Sequence, residues 1–195
     1  MNRRTWVARL LTAAVAAVAT AGTAGAGIIP ASVTVTPEAG NFRWQYSIVL
    51  PTDMKLQAGD YFTIYDFAGF APGSNVQPDG GWSFASANLG PTPDRLLPGD
   101  DPTLPNLTWT YGGPTIDGTK AGLGNFWALS VYQTTGESMF TAITHRSSDG
   151  KPDSNITPTT VPVPVPPPPG VPEPGTLALA GLGLPLLGLT RRLRR

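Results

Sequence analysis

Residues 42–50 read Phe-Arg-Trp-Gln-Tyr-Ser-Ile-Val-Leu, and an apolar side chain occupies every even position of this stretch. Three of the odd positions carry polar side chains: Arg43, Gln45 and Ser47. An apolar repeat of two residues puts one face of a β-strand in a core and the other toward water. The stretch therefore predicts an amphipathic strand with Trp44 on its buried face.

Further segments between the two ends of the chain have the composition of strands, and no stretch there shows an apolar repeat of 3.6 residues. They are rich in Val, Ile, Thr and aromatic residues and are separated by Gly, Pro, Asp and Asn. The fold class predicted is all-β, as a single β-sandwich. The predicted strands are 32–36, 42–50, 61–67, 81–87, 107–111, 126–132 and 138–145.

Two segments predict more about the fold than the presence of a strand. Residues 61–67 are apolar on both faces, which is typical of a central strand that is covered on both sides. Residues 90–106 form a long connection with five prolines and three aspartates. Loops of that length are usually functional or mobile.

Three chemically different segments follow one another at the C-terminus. The first holds Val171, Pro172, Glu173 and Pro174; an apolar run, residues 176–189, comes next; and Arg191, Arg192, Arg194 and Arg195 come last. Prolines on both sides of a carboxylate hold the chain extended, and terminal arginines stay on the cytoplasmic side of a membrane. Residues 171–195 resemble the PEP-CTERM sorting signal of exopolysaccharide-producing Gram-negative bacteria. The resemblance implies recognition by an exosortase-like membrane protease and a role at the cell surface or in the extracellular matrix.

The apolar run 176–189 predicts a short transmembrane helix. Fourteen residues span about 21 Å as a helix, less than the roughly 30 Å of a bilayer core. Pro185 lies inside the run and should kink it. We therefore expect a temporary anchor, and the sequence leaves open whether the helix is cleaved off or retained.

The N-terminus has the organisation of a signal peptide. Three arginines precede an apolar stretch at 10–21, and Ala24-Gly25-Ala26 supplies the small residues of a cleavage site. We predict that signal peptidase cuts between Ala26 and Gly27, with the bond after Ala24 as the alternative. Export through the inner membrane by the Sec or by the twin-arginine route remains open, since Arg3 and Arg4 form an arginine pair.

These segments divide the chain into four predicted parts: signal peptide 1–26, β-sandwich domain 27–157, Pro-rich stalk 158–170 and sorting signal 171–195. Prolines recur from Pro158 onward, and such a sequence favours the extended polyproline II conformation. An alternative puts residues 156–165 on the edge of a sheet, where a strand tolerates proline.

Charge and composition exclude several classes of function. Outside the two targeting ends the chain has six basic and twelve acidic residues, a net charge of about −6, which argues against a nucleic-acid partner. There is no cysteine and one histidine, His145, which predicts no metal site of the zinc type. We expect His145 to be a surface residue, and we expect no catalytic residues and no enzymatic activity.

The remaining candidate residues are Trp82, Asp94, Asp100 and Asp101. Trp82 follows two glycines and is the tryptophan that we expect to be exposed, as a platform for a sugar ring. The aspartates belong to one region, so calcium is the one cofactor worth testing, because it takes several oxygens from flexible loops. The alternative function is therefore a module that binds, or less readily cleaves, exopolysaccharide.

Overall fold

A computed structural model describes residues 27–78, 81–119 and 122–165, and these residues form strands and no helix. The all-β prediction is confirmed. The ten strands within the described ranges are β1 (Ile29–Glu38), β2 (Asn41–Val49), β3 (Met54–Leu56), β4 (Tyr61–Ile64), β5 (Trp82–Ala87), β6 (Asn106–Tyr111), β7 (Ile116–Asp117), β8 (Gly122–Ser130), β9 (Thr135–Arg146) and β10 (Pro152–Pro162).

The strands form two sheets in which all neighbours are antiparallel. The smaller sheet has the order β1-β2-β8, and the larger has the order β5-β6-β4-β9-β3-β7 with β10 paired to β9. Strand β9 organises the larger sheet, because β4 pairs with its middle, β3 with its C-terminal end and β10 with its whole length.

The core lies between the two sheets. Trp44, Tyr46 and Ile48 of β2 are at most 1% exposed, as the alternation in residues 42–50 predicts. Phe126 of β8 meets the larger sheet edge-on, with its ring centroid 4.9 Å from that of Phe62 in β4. Aromatic contacts of this geometry add to the free energy gained from area burial.

All seven predicted strands are present, and β3, β7 and β10 are additional. One predicted strand is shorter than expected: β4 ends at Ile64, whereas the prediction continued to Phe67. The chain leaves the sheet there because Asp66 has a φ of +56°, the left-handed region that strands do not use.

Strand β10 corrects the predicted start of the stalk. Residues 158–162 continue β10 and pair with β9, whereas the prediction assigned them to the Pro-rich stalk. The prolines are tolerated because β10 pairs on one side only, as in the edge-strand alternative. Pro162 is buried and Val163 N donates to Thr134 O at 2.9 Å, so the domain holds the chain through Val163.

Three predicted segments lie outside the described residues. They are the signal peptide 1–26, residues 166–170 of the stalk and the sorting signal 171–195. No helix long and apolar enough to cross a membrane occurs in the described parts of the chain.

Candidate functional site

A row of three side chains on the outer face of the larger sheet forms the floor of a pocket. Tyr61 of β4 lies opposite Ile143 of β9, which lies opposite Ser154 of β10. The next residues along β4 and β9, Phe62 and Ala142, are fully buried in the core. Since side chains alternate along a strand, Tyr61, Ile143 and Ser154 face away from the core.

The long loop at residues 90–106 covers the outer face beside this row. Tyr65 donates from its hydroxyl to Pro91 O at 3.0 Å and lies 2.7 Å from the Thr92 hydroxyl. Thr63 also donates to Pro91 O, at 3.1 Å. These bonds explain why Thr63 and Tyr65 are fully buried although they face outward, and they confirm that β4 is covered on both sides.

Loop residues 92–95, together with Pro152, Asp153 and Ser154, form the walls of the pocket. Its volume is about 500 Å³, within the range of small-molecule sites. Asp94 and Arg95 supply a carboxylate and a guanidinium, whereas the Asp153 carboxylate accepts from Ser154 N at 3.0 Å. Burial, and after it the nearby Tyr65 and Asp94, raise the pKa of the Tyr61 phenol, which therefore stays neutral at pH 7 and can both donate and accept a hydrogen bond.

Arg95 has a φ of +68°, a left-handed conformation that costs free energy in a residue with a Cβ atom. Its side chain is exposed and makes no hydrogen bond or ion pair to other residues of the described parts. Two further residues with a Cβ atom have a positive φ, Ala39 at +47° and Asp66 at +56°. The Asp66 carboxylate accepts two hydrogen bonds, whereas the Arg95 side chain makes none within the described parts.

Asp100 and Asp101 have structural roles instead of lining the pocket. Asp66 accepts hydrogen bonds from Asp101 N and from the Ser138 hydroxyl, both at 2.8 Å. Asp100 accepts from the Asn106 carboxamide at 2.8 Å. Hydrogen bonds from the amide and the hydroxyl of Thr103 lower the pKa of Asp101, which keeps this carboxylate ionised.

The structure thus separates Asp94, which lies at the pocket, from Asp100 and Asp101, whose hydrogen bonds hold the loop in place. Within residues 27–78, 81–119 and 122–165, no group of three or more histidine, aspartate or glutamate residues is placed to hold a metal ion. The calcium prediction gains no support from these residues.

The expectation that Trp82 is exposed is wrong. Its ring packs against Phe126 at 4.9 Å, Tyr111 at 5.1 Å and Phe62 at 5.6 Å between centroids, so it contributes to the core. The register explains this, because Trp82 opens β5 opposite the buried Tyr111. Trp127 has a more open position on β8, where the Arg43 guanidinium lies 4.2 Å above its ring.

His145 is partly exposed, with 23% of its side-chain surface accessible, and it contacts a buried carboxylate. Its Nδ1 atom lies 3.0 Å from Oδ1 of Asp60, a residue that is only 2% exposed. Burial raises the pKa of the Asp60 carboxyl, while hydrogen bonds from Gln57 N and His145 act in the opposite direction. This pair ties the turn before β4 to the C-terminal end of β9. No pattern in the sequence indicates this pair, since the two residues are 85 positions apart.

A comparison with known protein families finds a match to the PEP-CTERM protein-sorting motif at residues 170–195. It includes Pro172, Glu173 and the terminal arginines, and it confirms the resemblance drawn from the sequence. The motif indicates an exported protein that an exosortase processes at the membrane and sorts to the cell surface. A comparison with curated proteins found no match.

Proposed function

We propose that this chain is a non-enzymatic cell-surface protein whose β-sandwich domain presents the pocket at residues 92–95 and 152–154 to the surroundings. Signal peptidase removes residues 1–26 during export through the inner membrane. The helix at 176–189 then anchors the protein until an exosortase cuts near Pro172-Glu173-Pro174, with Arg191–Arg195 on the cytoplasmic side. The observation that carries this proposal is the sorting motif at residues 170–195.

The position of the pocket supports surface presentation. The stalk continues from the Pro162 end of β10, whereas Asp153 and Ser154 of the pocket lie at the other end of the same strand. Nine residue steps of β-strand separate Asp153 from Pro162, which corresponds to about 30 Å. A domain tethered through its stalk therefore carries its pocket at the end that is farther from the attachment.

Intact mass of the surface-exposed protein tests the sorting step. The full chain is produced in a bacterium that has an exosortase and in the same strain without it. We expect a mature form that begins at Gly27, ends close to Glu173 and lacks Arg191–Arg195, and we expect Glu173→Ala to prevent this cut. Glu137→Ala, an exposed glutamate in β9, is the matched control. A mature form that keeps the arginines whether or not Glu173 is replaced would reduce the segment to a simple tail anchor.

The pocket favours a second function, the binding of exopolysaccharide. Small-molecule sites combine apolar surface with a few convergent polar groups, and here Tyr61 and Ile143 are joined by the Asp94 carboxylate and the Arg95 guanidinium. Carboxylate and phenol oxygens accept from sugar hydroxyl groups, and a guanidinium donates to sugar carboxylates or ring oxygens. An Arg95 that no contact in the described parts engages is available for such a ligand.

A glycan array probed with the exported protein tests this function. We expect retention of acidic or neutral exopolysaccharide fragments, with a loss of about tenfold or more for Asp94→Asn, which corresponds to about 1.4 kcal/mol of binding free energy. Glu137→Gln, on the far part of β9, should bind like the wild type. If no glycan is retained, the pocket is not a saccharide site. The release of reducing ends would instead make the protein a cleaving enzyme.

A further inference from the structure

The first described residues of the chain are packed into the domain. Gly27 is buried, Ile28 is fully buried in the core, and Asn155 donates from its carboxamide nitrogen to Ile28 O at 3.1 Å. The predicted signal-peptidase site is the peptide bond that immediately precedes Gly27. The chain therefore enters its core directly at the expected start of the mature protein.

Two oxygen atoms next to Gly27 have no hydrogen-bond partner in the described parts of the chain. They are the hydroxyl oxygen of Thr144, a residue with no exposed surface, and the carboxamide oxygen of Asn155. In the register of β9 and β10, Thr144 lies opposite Asp153 and Asn155 lies opposite Ala142. Ala142 is buried in the core, and Thr144 and Asn155 lie on the same face of the sheet as Ala142, so both oxygens are on the core side. A buried polar atom without a partner is destabilising, so a donor is expected there.

The geometry at Gly27 shows how close this donor could be. A Cβ atom placed on Gly27 would lie 2.6 Å from the Asn155 oxygen and 2.9 Å from the Thr144 oxygen. The α-nitrogen is bonded to the same Cα atom and lies about 2.5 Å from any Cβ position. Only a residue without a Cβ fits, and its backbone can turn freely to aim the nitrogen at both oxygens.

We propose that the α-ammonium group of Gly27 binds the Thr144 and Asn155 oxygens, so that removal of the signal peptide completes the fold. Hydrolysis of the Ala26–Gly27 bond consumes one water molecule and leaves a carboxylate on Ala26 and an ammonium on Gly27. A peptide nitrogen offers one N–H, whereas the ammonium offers three, and its hydrogen bonds are charge-assisted. Cleavage after Ala24 would leave a peptide nitrogen at Gly27 and only one donor for two acceptors.

This inference rests on the proposed export, and intact mass separates the two. The full chain is exported with its own signal, in the wild-type form and with Gln-Ser inserted between Ala26 and Gly27. We expect the wild type to begin at Gly27 and the inserted form to begin at the added glutamine. A chain that keeps residues 1–26 would overturn the proposed export, and a wild-type start at Gly25 would overturn the ammonium site alone.

Melting temperatures of the two processed forms test the binding itself. We expect the Gln-Ser extension to lower the melting temperature by about 3–10 °C, because the ammonium is moved away from its acceptors. Thr144→Val should lower the melting temperature of the Gly27 form but leave the extended form unchanged or raise it, since there the hydroxyl has no donor to satisfy.

Thr34→Val, at an exposed position of β1, is the matched control and should alter both forms equally. Equal melting temperatures for the Gly27 and the extended form would overturn the proposal. The proposal would also be overturned if Thr144→Val changed the melting temperature of both forms by the same amount. A water molecule would then donate hydrogen bonds to the two oxygens as well as the ammonium does.

Discussion

Replacing Trp44 and Trp127 by phenylalanine makes the same chemical change on two paired strands of the smaller sheet. Trp44 has no exposed surface, and its indole nitrogen donates to Tyr132 O at 3.0 Å. Trp44→Phe leaves that carbonyl without its donor, at a cost of about 1–3 kcal/mol, and removes part of a buried ring. We expect a total loss of about 2–4 kcal/mol in the free energy of unfolding.

Trp127 provides the control, because its ring lies partly open to solvent beneath Arg43. A cation–π contact at an exposed site is worth about 0.5–1 kcal/mol, and phenylalanine keeps part of it. Thermal unfolding of the exported protein should therefore show a fall of about 6–12 °C for Trp44→Phe and less than about 4 °C for Trp127→Phe. Equal falls would refute the assignment of Trp44 to the core side of β2 and Trp127 to the outer side.

Two further changes test the buried Asp60 carboxyl and the strained residue at the pocket. Burial raises the pKa of Asp60 above its unfolded value near 3.9, so its contribution to stability is complete below that value and is lost as the pH rises through the folded pKa. Asp60→Asn cannot titrate, and the stability of the wild type relative to this variant should fall as the pH rises above about 4; a constant difference would contradict the burial argument. Arg95→Gly should leave the melting temperature unchanged or raise it, because glycine adopts the φ of +68° without strain, whereas Leu97→Gly should lower it through the greater entropy of the unfolded chain. A clear fall for Arg95→Gly would show that the arginine side chain stabilises the loop.

The sequence predicts those strands whose apolar pattern shows which of their faces are buried. Strand β2 alternates because one of its faces lies in the core, and β4 is apolar on both faces because the loop at residues 90–106 covers its outer side. Over residues 158–162 strand β10 was predicted only as an alternative to the stalk, since proline marks an extended chain and does not show whether a neighbour pairs with it. The deciding fact, a free outer edge, is a property of the whole sheet.

The pocket was predictable only in part, for a related reason. Asp94 was a candidate because it lies in a long acidic loop, but Tyr61 and Asp153 were not. Tyr61, Ile143 and Ser154 form one row only through the register of β4, β9 and β10, which no local pattern reveals. Trp82 was misjudged because a neighbouring glycine pair indicates a turn and gives no information about which face of β5 the ring joins.

The two ends of β10 connect the proposed steps of maturation. Asn155, next to Gly27, and Ser154, in the pocket, are adjacent residues on opposite faces of the larger sheet, about 23–27 Å along β10 from Pro162. Before processing, the predicted signal peptide would draw this distal end toward the membrane, while the stalk attaches the other end to it. Under the proposed function, removal of residues 1–26 releases this end from the membrane, and the Thr144 and Asn155 oxygens next to Gly27 would then hold it in the fold.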